Sequence, residues 1–198
     1  MNNKSDIGIR IENLTADYKG TIIFENLNFK LPERGCVCFF GPSGSGKTTL
    51  LQIIAGLKKP LVGTVSMDHP KIAYVFQENR LIPWLTALEN VSIVSETKEI
   101  AARWLEKVGL GNDTEKFPPQ LSGGMKQRVN IARALAFDAP VIMLDEPFKG
   151  LDDTIKSKII DILNEQKKDR LLILVTHDRD DVRLLADQII DIAISSRK

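Results

Sequence analysis

The chain has 198 residues, enough for one large domain or a domain with a lobe inserted in it, and 43% of them are hydrophobic, ample for a packed core. Lys and Arg number 27 and Asp and Glu 26, a formal net charge of +1, so composition gives no broad electrostatic basis for nucleic-acid binding. The longest apolar runs, such as Leu171 to Val175, fall far below the ~18 residues that cross a bilayer; with no apolar core in Met1–Asp6, neither a spanning helix nor a signal peptide is expected.

Ile7 to Leu14 and Thr21 to Leu31 alternate apolar and polar residues, the period of half-buried strands, with Asp17-Tyr18-Lys19-Gly20 as the turn between them. They suit an antiparallel subdomain resting on a parallel core. Unbroken apolar runs then recur at Cys36–Phe40, Ile72–Phe76, Val141–Leu144, Leu171–Val175 and Ile189–Ile194. Such runs alternating with helical patterns predict a parallel sheet covered on both faces. Cys36 and Cys38, two apart on one strand, have Cα atoms about 7 Å from each other, too far for an unstrained disulfide, and are expected to be buried thiols. Between Gln77 and Gln120 no apolar strand intervenes. Ala87–Ser95 and Glu99–Val108 read as helices, the second with Ile100, Arg103, Trp104 and Lys107 at helical spacing. This stretch reads as a helical lobe inserted into the α/β core.

The first run leads into Gly41-Pro42-Ser43-Gly44-Ser45-Gly46-Lys47-Thr48-Thr49, and Leu50–Ala55 continues as a helix. This strand–loop–helix fits the phosphate-binding motif. Its glycines let successive N–H groups wrap phosphate oxygens, Lys47 reaches the terminal phosphates and neutralises their charge, and the Thr48 hydroxyl suits Mg²⁺. Val141–Leu144 ends in Asp145-Glu146. A buried strand thereby delivers one carboxylate suited to a Mg²⁺ shell and a second suited to positioning the water that attacks a γ-phosphate. Leu121-Ser122-Gly123-Gly124-Met125-Lys126-Gln127-Arg128 reads as a second helix start capped by Ser122, with Met125, Val129, Ala132 and Ala136 on one face. A single phosphate loop has no need of a second anion-accepting helix start in its own chain.

Leu-Ser-Gly-Gly-Met followed by Lys-Gln-Arg, and then a strand ending Asp145-Glu146-Pro147, resembles the ATPase subunit of ATP-binding cassette (ABC) transporters. The resemblance runs from about Ile7 to Ile194. It implies one ABC ATPase domain over residues 1–198, of the P-loop NTPase α/β fold: a parallel-sheet core, an N-terminal antiparallel β subdomain and a helical lobe at about 78–135. It also implies ATP and Mg²⁺, and a second ATPase subunit, expected to be another copy, docked head to tail so that Ser122, Gly123 and Gly124 of one close over ATP held by the other. Tyr18 would stack on adenine, Gln77 would join Thr48 and Asp145 around Mg²⁺ and sense the transporter, Leu151 and Asp152 would cross the dimer interface, and His177 would contact the γ-phosphate. Glu146, His177 and Lys47 are the expected catalytic groups. His69, in an Asp-His-Pro turn, is given no role.

Phe76 to Thr86, with Leu81, Ile82, Trp84 and Leu85 crowding a Pro-containing loop, is similar to ATPases of importers for nitrate, sulfonate and taurine. That implies a membrane permease docked near Leu81–Thr86, an extracytoplasmic solute-binding protein in the full system, no nucleic acid, and a peripheral place on the cytoplasmic side of the cell membrane. Exporter ATPases, and ABC ATPases acting on DNA or ribosomes, are the alternatives. The sequence also departs from the family pattern: the segment from Val65 to Ile72 and the lobe near Val94–Glu99 are several residues shorter than usual. Lys149-Gly150 stands where Ser-Ala is commoner, Asp180-Asp181 follows the histidine where Glu-Ala is more familiar, and no regulatory C-terminal extension is expected after Ile194.

Overall fold

The computed structural model describes residues 7–68 and 71–192; His69 and the strand residues proposed beyond Ile192 lie outside them. β1 (Ile7–Tyr18) and β2 (Thr21–Pro32) form a hairpin closed by Lys19-Gly20, both at positive φ, with the Asp17 carboxylate accepting from the Gly20 N–H at 2.9 Å. On β2 Phe24, Leu27 and Leu31 are buried; Leu27, the half-buried Phe29 and Leu31 keep the alternation, but between Phe24 and Leu27 it slips by one residue, where the pairing with β1 shifts register. A third strand, β4 (Val62–Met67), pairs antiparallel with the other side of β1. The sequence pattern does not predict it: it buries no residue fully, is interrupted by Gly63, and exists by virtue of its partner.

Five strands make the parallel sheet, in the order β5 (Ile72–Val75), β6 (Val141–Asp145), β7 (Leu171–Thr176), β3 (Gly35–Phe40) and β8 (Gln188–Asp191). Its central strands are apolar throughout because each face packs into a separate cluster. Val37, Phe39, Met143 and Ile173 face the antiparallel sheet and α1 (Lys47–Ile54). Cys36, Cys38, Ile142, Leu144, Leu172 and Leu174 face the helices of the opposite layer. Both thiols are free and buried, as expected.

Between β5 and β6 the chain is helical: α2 (Ala87–Ser92), α3 (Lys98–Lys107), two short 3₁₀ turns and α4 (Gly123–Ala136), all packed together. α2 stops at Ser92, short of the expected Ser95. On α3 the buried face is Ala101 and Leu105, whereas Ile100, Arg103, Trp104 and Lys107 line an outward groove. α5 (Asp153–Gln166) and α6 (Arg179–Leu185) complete the helical layer against β7 and β3. Among the described residues no helix is long and apolar enough to cross a membrane.

Candidate active site

In the parallel sheet Phe40 pairs with Thr176, Asp145 with Val175, and Val75 with Leu144. The four C-terminal strand ends therefore lie level. The residues just past them must meet at one edge, and those residues are Gly41–Thr49, Gln77, Glu146 and His177.

α2 to α6 each begin with a side-chain cap, from Thr86, Thr97, Ser122, Asp152 and Asp178 respectively; α1 has none and no acid in its first turn. Its N-terminal N–H groups and partial positive charge remain available to an anion. The N-cap is Gly46 at φ +91°, a left-handed conformation that favours glycine. Lys47 is buried and its Nζ donates to the carbonyls of Gly41 at 2.7 Å and Pro42 at 2.8 Å, while the Ser45 N–H also donates to Pro42 at 3.2 Å. Burial pulls the Lys47 ammonium below its ordinary range, against the opposing pull of Glu146 and Asp145. A cavity of about 510 Å³ is lined by Ser43, Gly44, Gly46, Lys47, Thr48 and Thr49 together with Tyr18, Gln77 and Glu146. Tyr18 stands at the hairpin tip, 56% exposed, with Lys19 and Lys58 each 5.6 Å from its ring centre, an aromatic face suited to stacking on a base.

Asp145 is buried, and burial raises its carboxyl above the ordinary range; its Oδ1 accepts from Thr48 Oγ1 at 3.1 Å and its Oδ2 from the Tyr74 hydroxyl at 3.4 Å. A hydroxyl and a carboxylate at one point are hard oxygen donors, and a carboxylate held in an apolar wall is stabilised by a cation. The residues therefore fit Mg²⁺. Among the described residues no cluster of three His, Cys, Asp or Glu could hold a metal unaided, which suits an ion that takes its other ligands from phosphate and water. Glu146 adopts φ +49°, its N–H donating to the Val175 carbonyl at 2.9 Å, and its Oε1 lies 2.8 Å from His177 Nδ1. A non-glycine residue held left-handed beside the chemistry is a strained position of the kind found at active sites. These two side chains line a neighbouring cavity of about 420 Å³ with Ser43, Gln77 and Lys149.

The Ser122 hydroxyl accepts from the Met125 N–H at 3.2 Å and starts α4 as expected. Ser122, Gly123 and Gly124 line a third cavity, about 570 Å³, apart from the phosphate loop; Leu151 and Asp152 line it too. A Cβ on Gly123 would meet open space, but one on Gly124 would sit 2.8 Å from the Gly150 carbonyl. Gly124 is thus required by the neighbouring loop, whereas nothing in the fold itself requires glycine at Gly123. Gln77 lines all three cavities.

Several site residues escaped sequence reasoning. Asn130 of α4 donates to the Phe76 carbonyl at 3.2 Å and Gln127 to that of Pro147 at 2.9 Å, both buried, tying the Ser122 helix to the strand ends that carry Gln77 and Glu146. Tyr74 carried one legible signal: a tyrosine in an apolar strand needs a partner for its hydroxyl.

The sequence profile described as ABC transporter matches residues 24–149. The chain is 41% identical, over 187 residues, to the aliphatic sulfonates import ATP-binding protein SsuB of Bacillus cereus (strain ZK / E33L), covering 86% of this chain and 74% of that protein. It is 38% identical to the bicarbonate transport ATP-binding protein CmpD of Synechocystis sp. (strain ATCC 27184 / PCC 6803 / Kazusa), covering 94% and 74%. Among solved structures it is similar to the dimeric post-hydrolysis state of the ATP-binding cassette MJ0796 bound to ADP and Pi, with a TM-score of 0.83, 33% identity, and 92% and 96% of the two chains covered.

Proposed function

This chain belongs to the ABC transporter family, and we propose that it powers an importer of a small organic or inorganic anion, of the sulfonate, nitrate or taurine kind. It has the α/β fold of the family's ATPase cassettes and is an ATP-binding, ATP-hydrolysing subunit. The observation that carries the reading is the convergence of Lys47, Thr48, Asp145, Glu146 and His177 at one sheet edge beside an uncapped helix start. The importer reading is supported by the similarity to sulfonate and bicarbonate import ATPases.

In this reading Lys47 and the first N–H groups of α1 hold the β- and γ-phosphates, and Tyr18 stacks on adenine. Thr48, Asp145 and Gln77 would hold Mg²⁺, which when bound neutralises charge on the phosphates. Glu146 orients a water and takes its proton as the new O–Pγ bond forms and the bond to the ADP oxygen breaks. Nδ1 of His177 faces the Glu146 carboxylate, which leaves Nε2, on the other side of the ring, to meet the γ-phosphate. Ser122-Gly123-Gly124 line a different cavity from the phosphate loop, which favours a second copy docking head to tail so that each chain completes the other's site. The permease would dock near Leu81–Thr86 on the cytoplasmic side of the membrane, and a solute-binding protein would deliver the anion from outside.

The test is Glu146→Gln, followed by phosphate release and by light scattering with Mg·ATP. Turnover should fall about 100-fold or more, with the protein held as an ATP-bound dimer. Near-normal phosphate release would overturn the assignment.

A further inference from the structure

Asp181, part of the acidic pair that departs from the family pattern, is buried, whereas Asp180 beside it is exposed. Asp181 forms an ion pair with Lys156 of α5 through Oδ1 and accepts from Thr176 Oγ1 at 2.9 Å through Oδ2. Lys156 also bonds Asp178 Oδ2 at 3.0 Å. Asp178 Oδ1 caps α6 by accepting from the Asp180 N–H at 2.8 Å, and the Asp178 N–H donates to Thr176 Oγ1 at 3.0 Å. Both chain neighbours of His177, Thr176 and Asp178, are thus fixed in one network centred on the Lys156 cation. Burial works against the Lys156 ammonium, but the two carboxylates outweigh it and raise its proton affinity.

Lys156 also stands in the first turn of α5, whose N-cap is Asp152. The Lys156 N–H donates to the Asp152 carbonyl at 2.8 Å, and the Asp152 side chain caps α5 by accepting from Ile155 at 3.0 Å. Asp152 lies six residues after Glu146 in the loop that closes the Ser122–Gly124 cavity. We propose that Lys156 is a positioning residue for the hydrolytic reaction, tying the Asp152 turn to the backbone on both sides of His177 and so holding the imidazole against Glu146. The proposal rests on His177 acting in hydrolysis. A movement of the first turn of α5 then carries the Lys156 side chain with it and reaches the backbone around His177 through that one side chain, without passing through the sheet.

The experiment uses the full chain and compares Lys156→Met, Lys156→Arg, His177→Ala and the Lys156→Met/His177→Ala double variant. Steady-state ATPase, thermal unfolding and the ring NMR signals are measured; the chain has two histidines, so a His69→Gln reference assigns the His177 ring. Lys156→Met should lower kcat about 10-fold or more with KM for ATP within about twofold, and should shift the His177 ring signal. Lys156→Arg should recover kcat to within about threefold, and in the His177→Ala background Lys156→Met should cost less than about twofold. If Lys156→Met does not fold, Asp181→Asn carries the same readouts. An unmoved ring signal overturns the proposal, as does a loss of kcat that multiplies with that of His177→Ala. If His177→Ala hydrolyses ATP at the normal rate, the role given to His177 fails and the hydrolytic role of Lys156 with it, while a shifted ring signal in Lys156→Met would still show that Lys156 holds the imidazole.

Discussion

His177 Nδ1 lies 2.8 Å from Glu146 Oε1 although 31 residues separate them. β6 and β7 run parallel with Asp145 paired to Val175, so the residues just past each strand end must be neighbours. His177 is the more exposed of the two, with 61% of its side chain accessible against 18% for Glu146. It can therefore leave without opening the core. His177→Ala should lower kcat by about 100-fold or more, in the range of a positioned acid–base group. Binding of a fluorescent ATP analogue should stay within a few-fold of wild type. Loss of binding in step with kcat would mean that His177 serves the ground state instead.

Gly46→Ala places a Cβ 2.5 Å from Phe24 Cζ and 3.0 Å from Ile23 Cδ1, at φ +91°. Left-handed strain of about 1–2 kcal/mol adds to overpacking of about 1–3 kcal/mol. Gly20→Ala is the comparison, because its φ of +82° imposes the strain while nothing lies within 4 Å. Chemical denaturation should show the Gly46 variant losing more stability than the Gly20 variant. Nucleotide affinity should fall only in the Gly46 variant, since Gly46 sets the first N–H groups of α1.

The catalytic edge was legible because every element of it is a continuous apolar run followed at once by a polar group, and level parallel strands bring such groups together. Together with the phosphate-loop motif, that pattern identifies Lys47, Thr48, Asp145 and Glu146 with no knowledge of partners; His177, a lone histidine after a strand, takes its role only from the family resemblance. β4 was not legible, since Val62–Met67 buries no side chain fully and has strand geometry only through its pairing with β1. Asn130, Lys156 and Asp181 were hidden for another reason. Each looks like an ordinary helix polar residue until its partner, 54 residues away for Asn130 and Phe76, is brought beside it. Polar residues buried in pairs leave no periodic trace.

Tyr74→Phe tests how Asp145 is held. The tyrosine stacks on Phe76, with centroids 4.1 Å apart, so phenylalanine keeps the ring and removes only the 3.4 Å hydrogen bond to Asp145. That bond and the one from Thr48 offset the burial that favours the neutral acid. Without it the carboxylate is less stabilised, and the Mg²⁺ concentration for half-maximal ATPase should rise about three- to tenfold, as for a long charge-assisted bond worth about 1 kcal/mol. Stability should change little. An unaltered Mg²⁺ requirement would show that the hydroxyl does not tune Asp145.

The thiols give a prediction in pH. Burial, with Asp181 adding to it, pushes Cys38 up to about 12 from an ordinary 9.0, and Cys36, also buried, goes higher. The folded state therefore keeps protons that the unfolded chain releases. The associated stability is fully present below pH 9.0 and is lost as the pH rises from there toward about 12. The slope approaches about 1.4 kcal/mol per pH unit for each thiol. Urea melts at pH 8 and pH 10 should show the decline, and Cys38→Ala should make it shallower. At pH 8 a thiol reagent should label neither cysteine until the protein unfolds.

Trp84 is 75% exposed, yet its loop is firmly held. Asn90, fully buried, accepts from the Ile82 N–H at 2.7 Å and donates to the carbonyls of Leu85 and Thr86 at 2.9 Å each. Leu81 packs against the core cluster while Trp84 stays outside it, so the apolar group divides into an anchor and a presented ring. A large aromatic fixed in water by a rigid loop is the residue type that carries binding energy at interfaces, where truncation costs about 2 kcal/mol or more, near 30-fold in affinity. Trp84→Ala should leave the melting temperature and the ATPase of the isolated subunit close to wild type and reduce capture of the permease by about that factor. Leu81→Ala should do the reverse first, lowering the melting temperature because it removes the anchor. Permease capture unchanged by Trp84→Ala would place the docking contact elsewhere on the chain.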